Sequence, residues 1–349
     1  YNFSKADTII SIDADILGDW QGGGYDVEYS SGRIPKKENG KSKMSYHMQF
    51  ESNMSLSGAN ADKRVPVTPS VLKNVLAFIY GKLSNQKVNS KLETKVQNAA
   101  LLAVKKIKNS GRKAVLVSGI QETNAQELVL AINRLIKSEA FDDSHIKLTR
   151  KGNSKEVDQF VKNLINGDIS GLITVGVNPV NNLSDGPKIG EAIKKLDFSA
   201  TFSLKMDETA SASQFVGSLP HYLESWGDYE FKTGQFALAQ PTIRPLFDTR
   251  QFQEVLIDVL EKEDNYYTFI KNYWTDNILT GSSFSKTLHD GYFIKPNSIN
   301  NSGKIDLEAM AVKANSLCVD KEKGMSLVLY PKTGMGDGQQ ANNPWLQEF

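Results

Sequence analysis

The chain holds one cysteine, Cys318, in 349 residues. A single thiol forms no internal disulfide, no multi-cysteine zinc site and no iron–sulfur cluster, so any such centre must lie outside this chain. An excess of either charge is also lacking. With 41 basic and 40 acidic side chains, no long-range field gathers polyanions, and nucleic acid is excluded as a partner. No apolar run reaches the ~18 residues needed to cross a bilayer, so no direct membrane insertion is expected. Neither a Gly-x-Gly-x-x-Gly fingerprint, nor a phosphate-binding P-loop, nor a Gly-x-Ser-x-Gly elbow occurs. Nicotinamide enzymes, nucleotide triphosphatases and serine hydrolases of those types are set aside on that ground.

What remains is the composition of a globular protein, 40% hydrophobic and 9% aromatic, long enough for two or more domains. Strand-like and helix-like segments alternate along it. "ADTIISID" (6–13) reads as a buried strand closing on a polar turn around Asp13 and Asp15. Leu92, Val96, Ala100, Ala103, Val104 and Ile107 form one apolar stripe of a long helix, with Ser90 and Glu93 as its capping box and Gly111 as its stop. Strands are then expected at "KAVLVSG", "HIKLTR", "GLITVG" and "FSATFSL". Helices are expected between them, at "TNAQELVLAINRLIKS", "SKEVDQFVKNLING" and "DGPKIGEAIKKL". Such spacing makes crossover units, hence an α/β fold of open, mostly parallel sheets with helices on both faces.

One loop stands out. "GLITVGVNPVNN" (171–182) runs a strand into Gly176 and an Asn-Pro pair before a helix starts. In open parallel sheets ligands lie beyond the carboxyl ends of strands, where glycine allows close approach and proline delays the helix. Gly119 and Gly176 both fall at such ends. A tight connection with no ligand is the alternative reading of the same residues.

The next segments narrow the reading. "KMDETASAS" (205–213) follows a strand, and "SLPHYLESWGDYEFKTGQFALAQPTIRPLFDTR" (218–250) is rich in turns and aromatics. With the Gly-x-Asn-Pro loop, these resemble the molybdopterin oxidoreductase superfamily, the formate dehydrogenase and dimethyl sulfoxide reductase type. The Leu219-Pro220-His221 and Leu223-Glu224-Ser225-Trp226-Gly227-Asp228 pattern, with Gln240-Pro241-Thr242-Ile243, is similar to the large subunit of alternative complex III, a quinol:cytochrome c oxidoreductase. "ADTIISIDADILGDW", "FESNMSLSGANADKRVPVTPS" (50–70) and "GQQANNPWLQEF" resemble the same family in the same order.

The resemblance implies two related α/β lobes flanking a cofactor cleft. It places a partial lobe at 1–85, a second lobe at 86–317 and the start of a C-terminal barrel domain at 318–349. Tyr1 at the start and "NNPWLQEF" at the end read as cuts through a longer polypeptide, so a fragment is expected. Gly176, Asn178, Asp207 and Thr209 fall where the second lobe would meet a pterin dinucleotide, and Asn342 and Asn343 where the barrel would approach a pterin. Superfamily members hold molybdopterin guanine dinucleotide and iron–sulfur clusters. The complex III branch keeps the fold without molybdenum and carries its clusters in another region. Ala212-Ser213-Gln214 departs from the cofactor-binding pattern, which favours a chain that holds no cofactor. No catalytic residue and no metal ligand is assigned. The implied partners are other subunits of a membrane-bound respiratory complex, and the implied place is the periplasmic side of the inner membrane. The alternative is a fragment of an active molybdoenzyme.

Other constellations read as structural. His221 and Glu224 stand three apart in a proline-led loop with no third ligand, and the histidines at 47, 145, 221 and 289 share no metal-ligand spacing. Asp248 and Arg250 read as a helix cap with an ion pair. Glu224 and Asp228 flank Trp226 without signs of acid/base pairing. Cys318 in "ANSLCVD" reads as a small buried hydrophobe.

Overall fold

A computed structural model describes the chain except residues 39, 150–151, 263, 296–302, 304, 320–323, 331–333, 337, 339–342 and 349. It divides into two compact units: Tyr1–Ser144 with Ile299–Lys332, and His145–Ser298 with Thr333–Phe349.

The first unit is built on strand β1 (Thr8–Ile12), whose five residues are all buried. A short antiparallel hairpin, β2 (Lys36–Glu38) and β3 (Lys41–Lys43), follows. Strands β4 (Tyr46–Glu51), β5 (Lys63–Pro66) and β6 (Ala114–Ser118) complete an all-parallel sheet of order β5-β4-β1-β6. Side chains alternate across it because successive Cβ atoms point to opposite faces. Ile10, Ile12, Met48, Phe50 and Leu116 face one core, shared with helices Pro69–Ser84, Thr94–Ser110, Thr123–Leu135 and Leu307–Leu317. Ile9, Val115 and Val117 face the other, shared with Phe3, Trp20, Tyr25 and Tyr29.

Pairing of Thr8–Ile12 with Ala114–Ser118 corrects the expected boundary at residue 85. The segment 1–85 is no partial lobe, because β6 supplies the strand that closes β1 on its second edge. Gly119 marks the seam: its amide donates to the Ile12 carbonyl, and a Cβ there would stand 1.9 Å from the Asp13 oxygen. One helix start also shifts. The long helix begins at Thr94 with Glu93 as its cap, leaving Ser90 outside, and the next begins at Thr123 with Glu122 as its cap. Cys318 is half-buried against the helical core and donates to the Ala314 carbonyl. Burial raises its thiol pKa.

In the second unit, strands β7 (Gly171–Val175), β8 (Phe198–Ser203) and β9 (Phe215–Ser218) form a parallel sheet in sequence order. Helices Ser154–Asn166 and Gly186–Ile193 cover one face through Leu164, Ile189 and Ile193. On the opposite face Ile173, Val175, Phe198 and Phe215 are exposed, while Ala200 is buried and Phe202 packs on Phe252 with ring centroids 4.8 Å apart. Strands β10 (Gly227–Lys232), β11 (Gln235–Ala239) and β12 (Tyr292–Ile294) form an antiparallel sheet that the strand–helix alternation did not anticipate. Trp274, fully buried beneath it, donates its indole N–H to Asp228 at 2.9 Å. Among its described residues, "HIKLTR" makes an isolated β-bridge from Lys147 to Lys232 in place of the expected strand. Most of 318–349, the expected barrel start, lies outside the described residues or divides between the two units.

A polar stripe runs through the second core of the first unit. Tyr29 Oη contacts His47 Nδ1 at 3.1 Å, His47 Nε2 contacts Gln49 Oε1 at 3.1 Å, and Gln49 donates to Glu51 at 3.2 Å. Glu51, 1% exposed, is ion-paired to Arg64 and accepts from Ser55 Oγ at 2.6 Å. Buried charge is tolerated there because each carboxylate oxygen has a partner. Burial of His47 pushes its pKa down to about 4. Between its ordinary value of 6.5 and that value, the unfolded chain takes up a proton that the folded chain refuses. Stability therefore falls as pH falls through this window, by about 3 kcal/mol in all. Urea denaturation of wild type and His47→Gln at pH values across the window should show a shallower acid dependence in the variant. Equal slopes would mean that His47 does not titrate on unfolding.

Candidate functional site

Strand β7 ends at Val175 because the next residue leaves extended geometry. Gly176 has φ +64°, and its amide donates to the Phe202 carbonyl at 2.8 Å. A side chain would strain this left-handed backbone, although the space where its Cβ would sit is open. Asn178 precedes a single helical turn, Pro179–Asn182, in which Pro179 occupies the first helical position without losing a hydrogen bond. Strand β8 ends in the same way: Asp207 caps a short helix, Glu208–Ala212.

These two loops are stapled to each other. Asn178 Oδ1 accepts from the Thr209 hydroxyl at 2.7 Å and from the Thr209 amide at 3.2 Å. The Thr209 hydroxyl in turn accepts from the Val180 amide at 3.2 Å. Asn178 Nδ2 donates to Glu208 at 2.7 Å. Asp207 accepts from the Ala210 amide at 2.8 Å and from Ser203 Oγ at 2.9 Å. Four of the expected site residues, Gly176, Asn178, Asp207 and Thr209, therefore meet at the carboxyl ends of β7 and β8. Asn342 lies outside the described residues, and Asn343 caps the Pro344–Gln347 helix by accepting from the Trp345 amide.

The staple uses the groups that a ligand would need. Thr209 is fully buried, with its hydroxyl both donating and accepting. Both carboxylate oxygens of Asp207 are engaged, and so are both ends of the Asn178 amide. Glu208 is an exposed carboxylate whose pKa is lowered first by the Asn178 hydrogen bond. Lys205 adds a smaller effect of the same sign. An anion of pyrophosphate type would meet this carboxylate and find the side-chain donors of Asn178 and Thr209 already engaged, with the exposed Lys205 as the cation of the same loop. Glu208 was absent from the sequence-based set, although its place between Asp207 and Thr209 was the signal that pointed to it.

The departure at Ala212-Ser213-Gln214 has a structural role. Ser213 Oγ contacts Thr201 Oγ1 at 2.6 Å, and the Gln214 amide donates to Ser199 Oγ at 2.9 Å. Gln214 Nε2 donates to the Leu196 carbonyl at 3.0 Å. These bonds carry the chain from β8 across to β9.

His221 and Glu224 act on the backbone. Glu224 accepts from the His221 amide at 3.0 Å and from the Leu246 amide at 3.2 Å, while His221 Nδ1 accepts from Leu223. Arg250 pairs with Asp258 at 2.5 Å and not with Asp248, because Gln251 caps the following helix, Phe252–Val259. Among the described residues, no three histidine, cysteine or acidic side chains come together as metal ligands.

Replacing Thr209 by Val keeps the volume but leaves the Val180 amide and the Asn178 carbonyl oxygen short of a partner. The cost should be about 1–3 kcal/mol, and hydrogen exchange across residues 176–182 should accelerate. Unchanged exchange in that loop would show that the staple does not hold it.

Comparison with known proteins supports the architecture. No family model matches the chain, and no curated protein matches it by sequence. Among solved structures it is similar to acetylene hydratase from Pelobacter acetylenicus, with a TM-score of 0.56 at 10% identity, over 84% of this chain and 53% of that one. The chain thus spans about half the length of that structure. Parallel sheets flanked by helices and this likeness together show a mixed α/β fold similar to that of acetylene hydratase.

Proposed function

We propose that this chain is a molybdopterin oxidoreductase-like scaffold of an electron-transfer assembly, one that holds no molybdenum cofactor at its Gly-x-Asn-Pro loop. The carrying observation is the staple between Asn178, Glu208 and Thr209, which turns a ligand-facing loop pair into a self-satisfied structural joint. The order of motifs along the chain adds the finer reading: the large subunit of a quinol:cytochrome c oxidoreductase of the alternative complex III type. Its partners would then be the other subunits of a membrane-bound respiratory complex on the periplasmic side. No described helix is long and apolar enough to cross a membrane, so membrane association would come through those partners.

A second reading is favoured by one observation. The fold is similar to that of acetylene hydratase, and the open space beside Gly176 would let a ligand approach the backbone. In that reading the chain is a fragment of an active molybdoenzyme, and Asn178 and Thr209 would have to exchange their mutual bonds for bonds to the dinucleotide.

The two readings separate by analysis of protein purified from a host that makes molybdopterin guanine dinucleotide. Metal analysis and fluorescence of the oxidised pterin should give far less than one equivalent of each. A stoichiometric signal that disappears in Asn178→Ala would overturn the scaffold reading.

A further inference from the structure

The amino edge of the first unit's sheet carries a cavity of about 420 Å³. Five lysines line it, brought together from three places in the sequence. Lys5 comes from the turn before β1, Lys36, Lys37 and Lys43 from the β2–β3 hairpin, and Lys113 from the turn before β6. Two acids also line it, and both are committed elsewhere. Asp7 pairs with Lys43 at 2.9 Å, and Glu139 pairs with Arg112 at 3.3 Å. Lys5, Lys36, Lys37 and Lys113 have no ion-pair partner among the described residues. In a chain whose net charge is +1, this local excess of cations comes from the fold and not from composition.

Lysines on a short exposed hairpin deter it from pairing with other strands, and that accounts for Lys36 and Lys37 taken alone. It does not account for Lys5 and Lys113, which stand on other elements and face the same cavity. The backbone around them is fixed. The Asp7 amide donates to the Lys113 carbonyl at 2.7 Å, the Tyr46 amide to Asp7 at 2.9 Å, and the Ser45 amide to Gly32 at 2.9 Å. Ser45, which also lines the cavity, is 5% exposed, and its Oγ has no hydrogen-bond partner. Several ammonium groups gathered around one cavity are the chemistry that recognises a small, multiply charged oxyanion, with lysine acting as a point charge.

We infer that this lysine-lined cavity binds a diphosphate-class anion. Such an anion neutralises the cations that the fold crowds together, and affinity falls as salt screens them. The anion could be free in solution or the headgroup of an anionic lipid, and the shared chemistry is the phosphate.

Calorimetric titration of the full chain with sodium pyrophosphate at low ionic strength tests the site. Saturable one-site binding should weaken by at least about tenfold in a Lys37→Glu, Lys113→Glu double variant. Both side chains are exposed, so the variant should fold, and an unchanged melting temperature checks that. Lys262→Glu, an exposed lysine of the second unit, controls for charge alone and should bind as wild type does. Absence of saturable binding into the millimolar range, or equal weakening in Lys262→Glu, would overturn the inference. Flotation with phosphatidic acid vesicles separates the sources. Flotation lost in the double variant and competed by pyrophosphate assigns the headgroup to this cavity, whereas flotation unaffected by either places lipid binding elsewhere.

Discussion

Strand β1 has neither a free edge nor a free face, and the first unit is organised around satisfying it. Its backbone is paired on one side by β4 and on the other by β6, in registers that run its whole length. Parallel pairing requires a crossover between each pair of strands, so the chain must leave the sheet and return with helices in between. The helices that cover Ile10 and Ile12 are therefore consequences of the strand order. The aromatic cluster on the other side covers Ile9 in the same way.

The same constraint explains where polarity is allowed. Face alternation puts His47, Gln49 and Glu51 on the side of β4 opposite Met48 and Phe50, and a buried polar run survives only if its members satisfy one another. Gly58 shows how closely that run is packed: a Cβ there would overlap the Glu51 carboxylate. At the other end of the same sheet, the strands start from turns that expose lysines. One sheet thus presents a neutralised polar interior and a cationic rim.

In the second unit the carboxyl ends of β7 and β8 face the choice that all such loops face. Their polar groups can serve a ligand or one another. Asn178, Asp207 and Thr209 serve one another, and Glu208 closes the arrangement. A likeness of fold does not by itself carry a function, because chemistry resides in the donors that a site presents.

Local pattern was enough for much of this. Alternation of β-branched runs with amphipathic stripes identified β1, β6, β7 and β8 and the helices from Thr94 to Ile193, since period and length are properties of the chain itself, but not β4, β5 or the buried helix Pro69–Ser84. Gly176 and Asn178-Pro179 marked a strand end, because the constraint that glycine and proline place on φ is intrinsic to them. The residues that meet there, 178 with 209, were anticipated through motif order and not through spacing. Three outcomes depended on tertiary structure. Strand β6 belongs with β1 and not with β7, and no periodicity records which strands pair. The partly exposed face of β7 to β9 and the antiparallel sheet that follows arise from partners distant in sequence. That Asn178 and Thr209 bond to each other depends on how closely the two loops approach, a distance that only the folded chain sets.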